Sequence, residues 1–344
     1  MNELKNVAIK TRFPLAPFTT FRIGGPARFF IEATTEEEAR AAMLFARAHN
    51  LPLFPLGAGS NVLVPDEGVA GVVLRLALRE ISFETAGDDE LLVAGAGTPW
   101  EEVVAAAGER SIFGIENLAG IPGTIGGAAV QNIGAYGAEL SEVFEYADVI
   151  DSLSGKRRRI GRSEAAFAYR SSFFKEHREL IIVRVALRLA KFARVNVGYP
   201  DLAQALASGT PLTTPLEVAR MVRAIRTAKL PSLAEEGTAG SFFKNPLLSH
   251  EHAAALASRF PGLPVFPQAG DCTKVSLAWI LDHVLALKGH ARGRVRLYEK
   301  QPLIMVAERS ATSAEVDALA SEVRDRVCAA TGITIEREVE TFGR

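Results

Sequence analysis

Seven of the 29 glycines in this chain fall between residues 114 and 137: Gly114, Gly120, Gly123, Gly126, Gly127, Gly134 and Gly137. Glycine at this density costs backbone entropy on folding. It makes sense where the main chain itself must come close to a ligand. Between these glycines lie Asn117, Gln131 and Asn132, several apolar residues, and no basic side chain. Amide side chains both donate and accept hydrogen bonds, which suits an isoalloxazine edge or a diphosphate. The alternative is a glycine-rich bend packed against a helix. A second glycine turn, Gly57-Ala58-Gly59-Ser60-Asn61, follows a short apolar strand at 53–56. Such a turn exposes several N–H groups in a concave nest that favours an anion, unless it is simply a tight turn.

Several function classes can be set aside. The 344 residues suggest two or three domains. With 48% apolar and 23% charged residues the composition is that of an ordinary globular protein. Lys plus Arg is 39 against 40 for Asp plus Glu, a net charge of -1, so no nucleic-acid partner is expected. Cys272 and Cys328 cannot build a disulfide framework, which fits a reducing cytosol. Residues 1–6 carry no apolar leader, and no uncharged run is long enough to span a bilayer. A soluble cytoplasmic protein with no membrane partner is expected. There is no phosphate-binding G-x-x-x-x-G-K-[ST] loop, no G-x-S-x-G elbow and no HExxH. Neither Gly57-Ala58-Gly59 nor Gly95-Ala96-Gly97 has the third glycine of a dinucleotide fingerprint. His250 and His252 point apart on a helix start and read as surface rather than metal ligands.

Along the chain, residues 28–64 read as a β-α-β unit, with Thr34 and Glu37 at capping-box spacing. Strands are expected at 72–76, 91–95 and 180–190, and a helix opens after Pro99. Ser154-Gly155 before Lys156-Arg157-Arg158-Arg159 reads as a hairpin turn with a solvated basic flank. The helix at 215–230 carries Arg220, Arg223, Arg226 and Lys229 every third residue. Such a stripe is either solvated or faces a polyanion. A Trp279-centred helix spans 275–285. Thr312 and Glu315 cap a helix that Gly332 ends, and a last strand covers 334–339. The overall reading is α+β with mixed sheets and breaks near 78 and 212.

Gly114-Ile115-Glu116-Asn117-Leu118-Ala119-Gly120-Ile121-Pro122-Gly123 and Gln131-Asn132-Ile133-Gly134-Ala135-Tyr136-Gly137 resemble the MurB family, the UDP-N-acetylenolpyruvoylglucosamine reductases. Further matching blocks are Thr20-Phe21-Arg22-Ile23-Gly24-Gly25, the Gly57–Asn61 turn, Tyr169-Arg170-Ser171-Ser172-Phe173-Phe174-Lys175, Gly240-Ser241-Phe242-Phe243-Lys244-Asn245-Pro246 and Glu336-Arg337-Glu338-Val339. They run in order over nearly the whole chain. The resemblance implies an FAD-binding fold of the vanillyl-alcohol-oxidase (PCMH) type made of two subdomains, 1–78 and 79–212. An α+β substrate-binding domain would follow at 213–333, with a C-terminal strand, 334–344, returning to the first subdomain. It further implies NADPH as co-substrate, a UDP-sugar substrate in peptidoglycan precursor synthesis, and a monomer.

The resemblance assigns roles residue by residue. Arg170 would contact the substrate carboxylate, Glu338 would help to polarise it, and Ser241 would give the proton. A hydroxyl is a weak acid and needs donors that support the alkoxide. The cofactor would lie on Gly57, Gly59, Ser60, Asn61, Asn117, Ile121, Pro122, Gly123, Gly126, Gln131, Asn132, Gly134, Ala135 and Tyr136. Substrate contacts would come from Tyr199, Lys229, Asn245, Lys288 and Gln301. Lys229 also ends the cationic stripe, so two readings converge on a diphosphate there. Tyr199 in Gly198-Tyr199-Pro200 places the chain with members that carry a tyrosine loop. The chain departs from other members at Thr19, Tyr298 and Glu340, the last adding an acid on the strand face of Glu338. Two rivals remain: an oxygen-using oxidase of the same fold, disfavoured because the Gly57–Asn61 turn has no histidine for covalent attachment, and a non-catalytic nucleotide-sugar-binding module.

Overall fold

The computed structural model describes residues 7–343. Residues 1–6, on which the absence of a leader was read, lie outside them. The chain divides into two compact units.

The first unit comprises residues 1–13, 27–58 and 70–228. Its centre is a five-stranded sheet in the order Arg157–Gly161, Phe144–Asp151, Leu180–Ala190, Asp89–Gly95, Ile81–Ala86. Every pairing in it is antiparallel. Leu180–Ala190 is buried along most of its length because apolar layers cover both faces. Arg184 and Arg188 interrupt that run and pair with Glu80 (3.0 Å) and Glu145 (2.7 Å).

One face of the sheet packs on helices Trp100–Glu109, Ile125–Gln131 and Pro215–Lys229, through Trp100, Val103, Ile125, Ala129, Val218 and Val222. Trp100 is fully buried, and its indole N–H donates to Leu118 O at 2.8 Å. On the other face Ile150, Ile181 and Val183 join a core with helix Glu36–Ala48 and a four-stranded sheet. That sheet runs in the order Lys10–Pro14, Pro26–Ala33, Val69–Leu76, Leu53–Leu56. The capping box of helix Glu36–Ala48 is Thr35 with Glu38, one residue later than expected. Glu38 also accepts from Thr34 at 2.7 Å, so both threonines serve the same carboxylate.

The basic flank of the 152–156 turn is not merely solvated. Arg157 and Arg159 converge on buried Asp148 at 3.1 and 2.8 Å, and the Arg159 guanidinium lies 3.5 Å from the Tyr146 ring centroid. Burial raises the proton affinity of Asp148. The bond and charge of Arg159, then Arg157, outweigh it and hold the carboxyl below its usual range.

The second unit comprises residues 14–26, 59–69 and 229–344. Its strands are short: Leu247–Leu248, Thr273–Val275 and Val265–Pro267 form one sheet, and Ala291–Arg292, Val295–Leu297 and Met305–Ala307 another. Glu340–Thr341 pairs in parallel with Val62–Leu63. Helix Ser313–Thr331 buries Val316, Leu319, Val323 and Val327 against Phe242, Phe243, Leu297 and Met305. It carries the expected Thr312–Glu315 capping box and ends at Gly332 with φ +77°. Asp66 adds a long-range cap, accepting from Ser313 N at 2.8 Å and Ala314 N at 3.1 Å.

One expectation is refined in this unit and one fails. The Trp279 helix is one α turn, Leu277–Trp279, followed by a π turn, Ile280–Val284. Residues 334–339 form no continuous strand; they bond piecewise, with the strand confined to Glu340–Thr341.

Candidate active site

In the first unit the two glycine segments meet. A Cβ added to Gly57 would stand 2.7 Å from Thr124 Oγ1, and one added to Gly126 would stand 2.9 Å from Ala96 Cβ. Protein atoms crowd both points, so these glycines let neighbouring segments pack closely. Thr124 Oγ1 also accepts from Gly127 N at 3.3 Å, capping helix Ile125–Gln131. The turn continues through Gly59, Ser60 and Asn61, which belong to the second unit.

The buried amides of the glycine block are committed within the protein. Asn117 Nδ2 donates to Tyr136 O (2.8 Å) and Asn196 O (2.9 Å). Asn132 Oδ1 accepts from Ser141 N at 3.0 Å, while Nδ2 donates to Ala168 O at 3.0 Å and Glu139 Oε2 at 3.3 Å. These side chains shape the loop.

Arg170 stands against this loop. Its Nη2 donates to Gly134 O at 2.7 Å and its Nη1 to Asn132 O at 3.5 Å. Ser172 Oγ donates to Val130 O at 2.7 Å, and Lys175 Nζ donates to Gln131 Oε1 at 3.1 Å. Asn132, Tyr136, Ala166 and Arg170 all have φ between +43° and +53°. Left-handed backbone is uncommon for residues with a Cβ, and such strain gathers at functional sites.

Gly120 closes the other end of the block. Its N–H donates to Glu101 Oε2 at 2.7 Å, and its carbonyl accepts from Arg226 Nε at 3.0 Å. Arg223 pairs with Glu101. Arg223 and Arg226 of the cationic stripe are therefore turned onto protein partners that sequence periodicity could not reveal. Burial disfavours the Arg226 charge, and Tyr136 and Glu101 partly offset it. Burial likewise raises the Tyr136 pKa, with Arg226 opposing. The Tyr136 ring meets Tyr199 edge-on at 4.9 Å and 67°, and Tyr199 is 40% exposed.

In the second unit, Phe242 O accepts from Glu338 N at 2.9 Å, and Phe243 faces Arg337 across an antiparallel bridge. This register sets Ser241 and Glu338 on neighbouring chain segments. Asn61 Nδ2 donates to Glu338 O at 3.0 Å. Ser241 bridges Ile304, and Gln301 O accepts from Ile304 N at 3.0 Å, which brings Gln301 to the same segment. Tyr298 is buried with Ile304, Val306 and Leu230, next in sequence to Lys229. Asn245 Oδ1 accepts from Leu277 N at 3.0 Å, and Lys288 Nζ lies 2.5 Å from Asp282 Oδ2 in the π turn. Sequence reading missed Asp282 and Glu101, because no local spacing marks a partner six or more residues away. Arg170 belongs to the first unit, and Ser241 and Glu338 share the second. Among the described residues no group of three His, Cys, Asp or Glu could hold a metal, and no helix is long and apolar enough to cross a membrane.

Residues 27–161 match the FAD-binding domain family, and residues 232–342 match the family described as UDP-N-acetylenolpyruvoylglucosamine reductase, C-terminal domain. Together they define an FAD-containing oxidoreductase. The UDP-N-acetylenolpyruvoylglucosamine reductase of Pseudomonas aeruginosa is 39% identical over 95% of this chain and 97% of its own length. That of Salmonella typhimurium is 38% identical over 96% of each. The crystal structure of the Thermus caldophilus enzyme, MurB, superposes with a TM-score of 0.68 at 26% identity, covering 98% of this chain and 99% of its own. The chain belongs to the UDP-N-acetylenolpyruvoylglucosamine reductase family. The expected α+β flavoprotein fold with a separate C-terminal domain holds.

Proposed function

We propose that this protein catalyses the NADPH-dependent reduction of UDP-N-acetyl-3-O-(1-carboxyvinyl)-glucosamine to UDP-N-acetylmuramate, a step of peptidoglycan precursor synthesis, as a cytoplasmic monomer. FAD, when bound, would supply the hydride chemistry at N5, with NADPH as the source of the electrons. The density of glycine at 114–137 and in the Gly57–Asn61 turn supports a flat ring and a diphosphate approached by the main chain.

The chain's own residues carry the rest. Arg170 binds the enolpyruvyl carboxylate and stabilises charge that builds on it, and Glu338 polarises the same group. The Ser241 hydroxyl gives its proton to the carbon left electron-rich after hydride addition. Lys229, Tyr199, Asn245, Lys288 and Gln301 hold the nucleotide-sugar. The observation that carries this reading is the register that sets Ser241 beside Glu338, with Asn61 of the first glycine turn bonded to the Glu338 carbonyl.

Stopped-flow measurement of the two half-reactions tests it. Ser241→Ala is expected to leave flavin reduction by NADPH intact and to slow reoxidation by the enolpyruvyl substrate by roughly a hundredfold or more. Equal losses in both half-reactions would remove Ser241 as the proton donor.

A further inference from the structure

Arg170 sits at the tip of a two-residue turn. Ala168 and Ser171 exchange both backbone hydrogen bonds, at 3.0 and 3.1 Å, leaving only Tyr169 and Arg170 between them. With φ +53°, Arg170 holds a conformation that a residue with a Cβ adopts only when its surroundings enforce it.

Asn132 is where that enforcement converges. It is 1% exposed. Its Oδ1 must face Ser141 N, since an amide N–H can only donate, and the 3.0 Å bond there fixes which end of the side chain is which. Nδ2 is thereby aimed at Ala168 O, the carbonyl that closes the Arg170 turn, and at Glu139. The main-chain carbonyl of the same residue accepts from Arg170 Nη1 at 3.5 Å, and two residues later Gly134 O accepts from Nη2 at 2.7 Å. One side chain therefore grips the base of the turn while its own peptide and its neighbour's hold the guanidinium. Gly134 permits the approach: a Cβ there would stand 3.1 Å from Arg170 Nη1 and 2.9 Å from Glu139 Cγ.

We propose that Asn132 is a positioning residue for Arg170, fixing both the turn that carries the arginine and the direction of its guanidinium. This rests on the reading of Arg170 as the group that holds the substrate carboxylate. The polarity of the amide is what matters. Asn132→Asp is nearly isosteric but turns a carboxylate oxygen toward the Ala168 carbonyl and the Glu139 carboxylate, where a donor is required.

The test uses the FAD-loaded full-length protein. In Asn132→Asp and Asn132→Ser, saturated with FAD, the rate of reduction by NADPH should fall far less than the rate of reoxidation. Reoxidation by the enolpyruvyl substrate should fall on the order of a hundredfold, the scale of an ångström-sized misplacement. Titration of the oxidised protein, followed by flavin absorbance, should show weaker binding of the same substrate. Gly134→Ala should reproduce the reoxidation defect by displacing the guanidinium directly. In an Arg170→Ala background Asn132→Ser should cost nothing further, because its effect runs through the arginine. A merely structural role would give additive losses in that cycle and overturn the proposal. Loss of flavin from both Asn132 variants would make the residue a cofactor contact and also overturn it. If Arg170→Ala alone leaves reoxidation unchanged, the functional reading of Arg170 fails, which is distinct from an Arg170 effect that Asn132 does not share.

Discussion

The first unit is built on a long sheet and the second on caps. Leu180–Ala190 contributes eleven residues to one sheet buried on both faces. The second unit's strands run two or three residues each, and its 19-residue helix is held at its start by a carboxylate from Asp66, 247 positions earlier. Most of the first unit's core side chains inherit their positions from a continuous ladder. Arg170 does not: like Ser241 and Glu338 it is held by an isolated bridge and single bonds. The ladder thus sets the frame, and the three candidate site residues each depend on a few contacts.

Three substitutions would break or sharpen that contrast. Trp100→Ala removes a fully buried indole and its bond to Leu118 O, and should destabilise the first unit by roughly 3–5 kcal/mol. Hydrogen exchange at amides 180–190 should accelerate while amides 313–331 keep their protection; equal loss in both would show that the two cores unfold as one.

Asp148→Asn comes next, at about 1–3 kcal/mol near neutral pH. The folded carboxyl is held below its usual range, so its contribution is present above the unfolded value of about 3.9 and is lost as the pH falls through the lower folded value. The variant's stability should therefore change less with acid below about pH 4 than the parent's, as read by denaturant titrations at stepped pH. The smallest effect is Asp66→Ala, about 1 kcal/mol, the usual cost of a lost cap. It should accelerate exchange at the start of helix Ser313–Thr331 and leave the first unit untouched. A global loss would mean that Asp66 does more than cap.

Legibility followed the range of the forces involved. The strand at 180–190 and the Thr312–Gly332 caps were readable because hydrophobic runs and caps are local signals. The capping box of the first helix slipped by one because Thr34 and Thr35 both stand before acids and both bond Glu38. The segment expected as a strand at 334–339 has backbone partners near residues 242–244, and that pairing extends over too few bonds to make a ladder. The π turn after Trp279 left no mark in apolar spacing.

For the site, the blocks at 114–137 and 169–175 were recognisable as segments, and their interlocking was not. Arg226 looked like one member of a surface stripe, yet its partner Gly120 lies 106 residues away. Asn132 stood out as one amide of the glycine block, and its reach 36 residues forward to Ala168 left no local mark. Composition says which groups are present, whereas only the fold says which of them are already spoken for.

The chain has two tryptophans, and the fold deals one to each unit: Trp100 in the sealed core of the first, and Trp279 in the second, lying flat on His283 at 4.7 Å with ring planes 7° apart. Their emission forms a pair of native dyes in unlike surroundings, one dry and one stacked on an imidazole. Single-tryptophan versions would let a fluorimeter follow the melting of either half without any attached label.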